Sequence, residues 1–163
     1  MYRVGIITSS DKGAAGERED LSGPAIRELL PKEQYEVVSY RVIPDEKELL
    51  KKEIVRLCDE AGCHLVLTTG GTGFSRRDVT PEATMEAADR PAPGIAEAIR
   101  AYSMTITKRA MLSRAVSAIR GNTLIVNLPG SPKAVKEALE YLLDTLPHGL
   151  DILLGDAGEC ARP

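Results

Sequence analysis

Between Leu65 and Glu82 an apolar run, Leu65-Val66-Leu67, leads into Thr68-Thr69-Gly70-Gly71-Thr72-Gly73, and Arg76, Arg77, Asp78 and Thr80-Pro81-Glu82 follow. Three glycines within four residues free the backbone to take φ > 0 and to bring bare amides against a ligand, while the neighbouring threonine hydroxyls add donors. That composition suits an anion cradle at the end of a strand. The two arginines and the aspartate beyond it suit a phosphate on one side and a metal ion on the other. Thr80 reads as a helix N-cap with Pro81 at the first helical position, so the cradle closes on the positive end of a helix dipole. A ligand-free tight turn would use the same glycines. The generic nucleotide signatures do not decide the matter, because no Lys-Ser/Thr follows the glycines and the Gly-x-Gly-x-x-Gly spacing is absent.

Three other stretches place small polar residues directly after an apolar run. Val4 to Thr8 ends in Ser9-Ser10-Asp11, the opening of a long loop that reaches Asp20. Tyr35 to Ile43 ends in Pro44-Asp45-Glu46, and Thr123 to Val126 ends in Asn127-Leu128-Pro129-Gly130-Ser131-Pro132. Local spacing gives Asp45 a bland role: with Glu48 three residues on, it resembles a capping box ahead of an amphipathic helix. Ser131 and Pro132 form the same kind of helix start. Lys108, Arg109 and Arg114 make a small basic cluster around Met111-Leu112-Ser113, the usual composition of a solvated surface.

These residues need elements to hold them. The alternating β-rich segments at 4–8, 35–43, 64–68 and 123–127 predict strands, separated by helical patterns from Gly23-Pro24, after Asp45, from Thr80 and over Ile95, Ile99, Tyr102 and Ile106. A further helix from Pro132 carries Val135, Ala138, Leu139, Leu142, Leu143 and Leu146 on one face, and a short helix over 150–154 precedes an irregular tail. Val116 to Ile119 and Thr123 to Asn127, joined by Arg120-Gly121-Asn122, predict an antiparallel hairpin. The expected class is therefore α/β, three-layered, with a mostly parallel sheet, helices on both faces and a short antiparallel hairpin, in one domain spanning 1–163. In such a sheet every strand-to-helix loop lies at the carboxyl edge, where ligands bind. The four polar stretches should meet there, which lifts the binding reading above the turn reading.

Composition narrows the classes further. A chain of 163 residues is long enough to bury a core without staples, and a formal charge of −3 excludes a nucleic-acid binder that works through a net basic field. No apolar run reaches the length of a membrane span, and Met1-Tyr2-Arg3-Val4 enters a strand pattern directly, so the expected setting is the cytoplasm, away from membrane. Cys58, Cys63 and Cys160 lack the spacing of a zinc site or a disulfide framework, and Cys58 and His64 are read as structural.

Taken together, Thr68 to Gly73, Arg77-Asp78-Val79-Thr80-Pro81-Glu82-Ala83, Pro44-Asp45-Glu46, Leu112-Ser113-Arg114 and Asn127 to Lys133, with their spacing along the chain, resemble the MogA/MoaB family of molybdenum-cofactor biosynthesis proteins, to which gephyrin-like G domains are also similar. The resemblance implies a molybdopterin adenylyltransferase that uses ATP, molybdopterin and Mg²⁺ and assembles as a homotrimer. It places Asp45 and Asp78 at the reaction centre and on the metal. It implies pterin or nucleotide binding at Ser9, Ser10 and Asp11, at Thr69, Gly70, Gly71, Thr72 and Gly73, at Ser113 and Arg114, and at Asn127, Pro129, Gly130 and Ser131. A non-catalytic molybdopterin carrier of the same family, and a different nucleotide-dependent enzyme on a similar sheet, remain as alternatives.

Overall fold

A computed structural model describes residues 1–156. Six strands form one sheet in the order β2-β1-β3-β6-β5-β4. The strands are β1 (Tyr2–Ser9), β2 (Tyr35–Ile43), β3 (Leu65–Thr69), β4 (Arg90–Pro91), β5 (Ser117–Arg120) and β6 (Thr123–Leu128). The four strands β2, β1, β3 and β6 run parallel, whereas β5 and β4 add an antiparallel end. The helices are α1 (Asp11–Ala14), α2 (Ser22–Leu29), α3 (Lys47–Asp59), α4 (Thr80–Ala87), α5 (Pro93–Met104), α6 (Pro132–Leu142) and α7 (Leu146–Leu154). The architecture is the expected α/β one, with the predicted hairpin at β5 and β6.

Period-two alternation sorts each buried strand between two cores. Val4, Ile6, Leu65, Leu67, Leu124 and Val126 face Ile26 of α2, Ile99 of α5, Val135 and Leu139 of α6 and Leu150 of α7. Ile7, Val66 and Ile125 face the opposite way, onto Leu50, Ile54 and Leu57 of α3 and Ala83 and Ala87 of α4. Gly5 lets α3 approach closely, since a Cβ there would stand 2.7 Å from Leu57 Cδ1. Truncating any of the fully buried leucines to alanine should cost about 2–5 kcal/mol.

Local predictions failed where a distant partner or a proline intervened. Asp45 does not cap α3: Glu46 occupies the N-cap position without a side-chain bond, because the Asp45 carboxylate is held by the loop after β1. Thr80 is not a cap either, since Val79 holds that position and the Thr80 hydroxyl donates to Gly70 O. The helix over Ile95 and Ile99 ends at Met104, so Ile106 falls outside it, in the turn before a 3₁₀ segment at Lys108–Leu112. The connection between α4 and α5 contains the two-residue strand β4. The long helix expected to reach Leu146 stops at Leu142, and α7 starts afresh with Pro147 in its first turn, where the missing N–H is tolerated. His64 precedes β3 and its Nδ1 accepts from Arg3 N–H, a structural role. Cys63 is buried and Cys58 half-buried, with burial pushing the Cys58 thiol up to about 11. Cys160 and the irregular tail lie outside the described residues.

Candidate functional site

Because β2, β1, β3 and β6 are parallel neighbours, their exits at Ile43, Ser9, Thr69 and Leu128 stand side by side. The loops that leave them are tied to one another by hydrogen bonds. Thr69 Oγ1 donates to Pro129 O at 2.6 Å, Ser22 Oγ donates to Gly130 O at 2.8 Å, and Ser10 N–H donates to Ile43 O at 2.9 Å. Gly70 and Gly71 adopt φ of +86° and +70°. A Cβ on Gly70 would lie 2.6 Å from Ser9 O, and one on Gly71 would lie 2.3 Å from Thr80 Oγ1. Close approach of β1 and α4 therefore demands these glycines, in addition to any ligand they meet.

The two acidic candidates are held differently. Asp45 follows β2 by a two-residue connection, and its carboxylate accepts from Ser9 Oγ at 2.5 Å and from Asp11 N–H at 2.9 Å. Asp45 N–H returns a 2.9 Å bond to Asp11 Oδ1. Arg77 then grips Asp11 with both Nε and Nη2 at 2.9 Å, a bidentate fork that holds the Asp11 carboxyl below its usual range. Asp78 is the next residue in the chain. One of its oxygens accepts from Ser75 N–H at 3.0 Å, and the same oxygen would meet a Cβ on Gly73 at 2.9 Å. Asp45, Asp11 and Arg77 are thus joined in one hydrogen-bonded chain across the β1, β2 and β3 loops, and Asp78, next to Arg77 in sequence, bonds within its own loop.

Among the described residues no three His, Cys, Asp or Glu side chains group to hold a metal ion on their own. Each carboxylate offers about four lone-pair positions, and the protein fills two on Asp45 and one on Asp78. That donor set fits a cation which takes one or two carboxylates and completes its shell with phosphate oxygens and water, as Mg²⁺ does.

Two cavities open at the strand exits, and neither is lined by Asp45, Asp11, Arg77 or Asp78. One, of about 330 Å³, is lined by Ser9, Ser10, Asp20, Ser22, Thr69 and Gly70. The other, of about 250 Å³ and more apolar, is lined by Thr72, Ile99, Arg100, Ser113, Pro129 and Ala134. Gly130 walls both. A more open groove of about 580 Å³ along β2 and α3 contains none of the candidate residues.

The remaining candidates are placed as follows. Ser10 caps α1 and Ser131 caps α6 through their hydroxyls. Asn127 is fully buried, donates to Thr68 and Thr84 hydroxyls at 2.9 Å, and accepts from Val116 N–H at 3.1 Å, so it knots β3, the start of β5 and α4 below the cavities. Arg114 donates to Gly73 O and Asp78 O and pairs with Glu82, whose carboxyl it holds below the usual range. The sequence reading missed Asp20, whose carboxylate accepts from Thr8, from Tyr40 and from the Ser22 and Gly23 amides at the floor of the larger cavity. Burial, then the Asp20 hydrogen bond, pushes the Tyr40 phenol up. The signal available was Asp20-x-Ser22-Gly23-Pro24, an Asx turn at a helix start.

Over residues 5–148 the chain matches the family described as "Probable molybdopterin binding domain". A protein of Helicobacter pylori named molybdopterin adenylyltransferase is 42% identical over 159 residues, covering 94% of this chain and 88% of that one. Its namesake in Escherichia coli is 46% identical over 155 residues, covering 91% and 79% respectively. Among solved structures, the molybdopterin biosynthesis enzyme MoaB from Thermus thermophilus superposes with a TM-score of 0.90 at 50% identity, covering 95% of this chain and 98% of that one.

Proposed function

Since the chain belongs to the molybdopterin-binding domain family, we propose that it is a molybdopterin adenylyltransferase, joining AMP from ATP to the terminal phosphate of molybdopterin and releasing pyrophosphate. The observation that carries this reading is the tie from Asp45 through Asp11 and Arg77 to the Asp78 loop, on the same strand-exit loops whose other residues line two cavities sharing the Gly130 wall. The reaction needs room for two anionic substrates and a centre that gathers their phosphates.

An oxygen of the pterin phosphate attacks the α-phosphorus of ATP, the bond from that phosphorus to the β-bridging oxygen breaks, and pyrophosphate leaves with the electron pair. Two unit negative charges about 4 Å apart repel by roughly 4 kcal/mol at an effective dielectric near 20. Left uncompensated, that slows the step about a thousandfold. Asp45 and Asp78 are the carboxylates that would hold Mg²⁺, which would supply positive charge against the triphosphate. The amides of Gly70 to Gly73, the hydroxyl of Thr72 and the basic side chains of the rim take up the rest, the Ser9 and Thr69 hydroxyl protons being already given to Asp45 and Pro129 O. Phosphate is already a nucleophile, so no serine–histidine pair is required.

The same reading carries a homotrimer in the cytoplasm, which sedimentation and fractionation would test. Among the described residues no helix is long and apolar enough to cross a membrane. The decisive experiment follows pyrophosphate from purified protein with molybdopterin, ATP and Mg²⁺. Release that depends on molybdopterin, and that falls at least about a hundredfold in Asp78→Asn with molybdopterin binding intact, is the expected result. Binding without release would identify a carrier instead.

A further inference from the structure

We propose that Arg114 is a positioning residue: its guanidinium splints the Gly73–Asp78 loop so that Asp78 faces the substrates, and it touches neither of them. This inference rests on the adenylyl-transfer reading for its kinetic consequence, though not for its structural one.

The loop between Gly73 and Asp78 has little of its own to hold it. Phe74, its one large apolar side chain, is 71% exposed, and Ser75, Arg76 and Arg77 are exposed as well. Its internal bonds join Ser75 to Asp78 and to Arg77. On its outer side the Arg77–Asp11 pair is solvent-exposed and correspondingly weak. Arg114 supplies the remaining anchor, and it grips both ends. Nε donates to Gly73 O at 2.8 Å and Nη2 donates to Asp78 O at 2.7 Å, so the two carbonyls that bracket the exposed tip are held by one rigid plane. Arg114 N–H adds a 2.8 Å bond to Thr72 O. Glu82, in the first turn of α4, pairs with Nη1 and fixes the plane against a helix.

Four of the five guanidinium N–H donors are already directed at two carbonyls and a carboxylate, which leaves one Nη1 donor for any other acceptor. The fork geometry also explains why the position takes arginine. A lysine ammonium is a point charge and cannot reach three diverging acceptors at once. Splinting matters because a displacement of the reacting groups by about 1 Å can cost a hundredfold in rate.

The test uses the full chain in two assays. In limited trypsinolysis without substrates, cleavage after Arg76 or Arg77, identified by fragment mass, should quicken about tenfold in Arg114→Gln and in Arg114→Lys, and by a smaller factor in Glu82→Gln, as expected when a local opening becomes easier. Melting curves check that the whole domain stays folded. In the pyrophosphate assay, kcat should fall about ten- to a hundredfold while KM for ATP and for molybdopterin stays within about twofold. Arg114→Lys should behave like Arg114→Gln in both assays. Unchanged cleavage with a raised KM for either substrate, or rescue of activity by lysine, would overturn the proposal in favour of a direct contact. If the Arg114 variants fail to fold, Glu82→Gln decides by its cleavage rate. Wild-type protein that releases no pyrophosphate would defeat the adenylyl-transfer reading, while the cleavage data would still settle the splint.

Discussion

Asp45 and Asp78, the two acidic residues of the proposed site, are secured by opposite means. Asp45 sits two residues beyond β2, and donors from the neighbouring β1 exit hold both its oxygens, so the sheet itself sets its position. Asp78 sits on an exposed loop, its carboxylate bonded only within that loop, while Arg114 holds the loop's backbone and Arg77 reaches out from it to Asp11. The first side costs no further ordering once the strands pair. The second is held by side chains instead, Arg114 on the loop's backbone and Arg77 on Asp11.

Substitutions that treat the two sides alike should expose the difference. Asp45→Asn and Asp78→Asn should each lower pyrophosphate release at least about a hundredfold. Only Asp45→Asn should also lose stability, by about 1 kcal/mol, because the Ser9 hydroxyl and the Asp11 amide use different oxygens of Asp45 and Asn keeps an acceptor for only one of them. Equal melting temperatures for the two variants would break the contrast. Gly71→Ala tests the sheet side next. With φ at +70° and a Cβ 2.3 Å from Thr80 Oγ1, it should destabilise the fold by about 2–3 kcal/mol in urea titrations.

Gly73→Ala probes the loop side with a milder change. Its φ is not positive, and the added methyl would press on Asp78 Oδ2 at 2.9 Å, the end of a side chain that can turn. Stability should change by less than about 1 kcal/mol, with activity down about tenfold because Asp78 is displaced. The smallest effect concerns the clasp. Arg77 lowers the Asp11 carboxyl pKa, so the pair stabilises the folded state above the ordinary aspartate range, and that contribution fades as pH drops through the lowered folded value. Melting temperatures below about pH 4 should therefore be less steeply pH-dependent in Arg77→Gln than in wild type, and salt should shrink the gap.

The strands were legible because alternation of apolar residues is a local signal. Ile6 with Ile7, and Leu67 with Val66, divide correctly between the two cores. The start of α6 was legible for the same reason, since Ser131 and Pro132 act on amides within three residues of themselves. Asp45 was misread by that very logic. Its spacing to Glu48 satisfied a cap, but the amide that won its carboxylate belongs to Asp11, 34 residues away. Asp20 and Arg114 were obscured in the same manner, the first by a partner on β2 and the second by carbonyls of a loop 41 and 36 positions upstream.

From residue types alone came the α/β class, the glycine cradle, the acidic candidates and the family they resemble. Those depend on interactions within a few residues or on motifs carried along the chain. Strand order is a long-range outcome, and it alone decided that β1, β2, β3 and β6 would release their loops together. It also decided which donors reach Asp45 and which carbonyls reach Arg114. A side chain bonds to whatever folding brings within about 3 Å, and no local pattern encodes that neighbour.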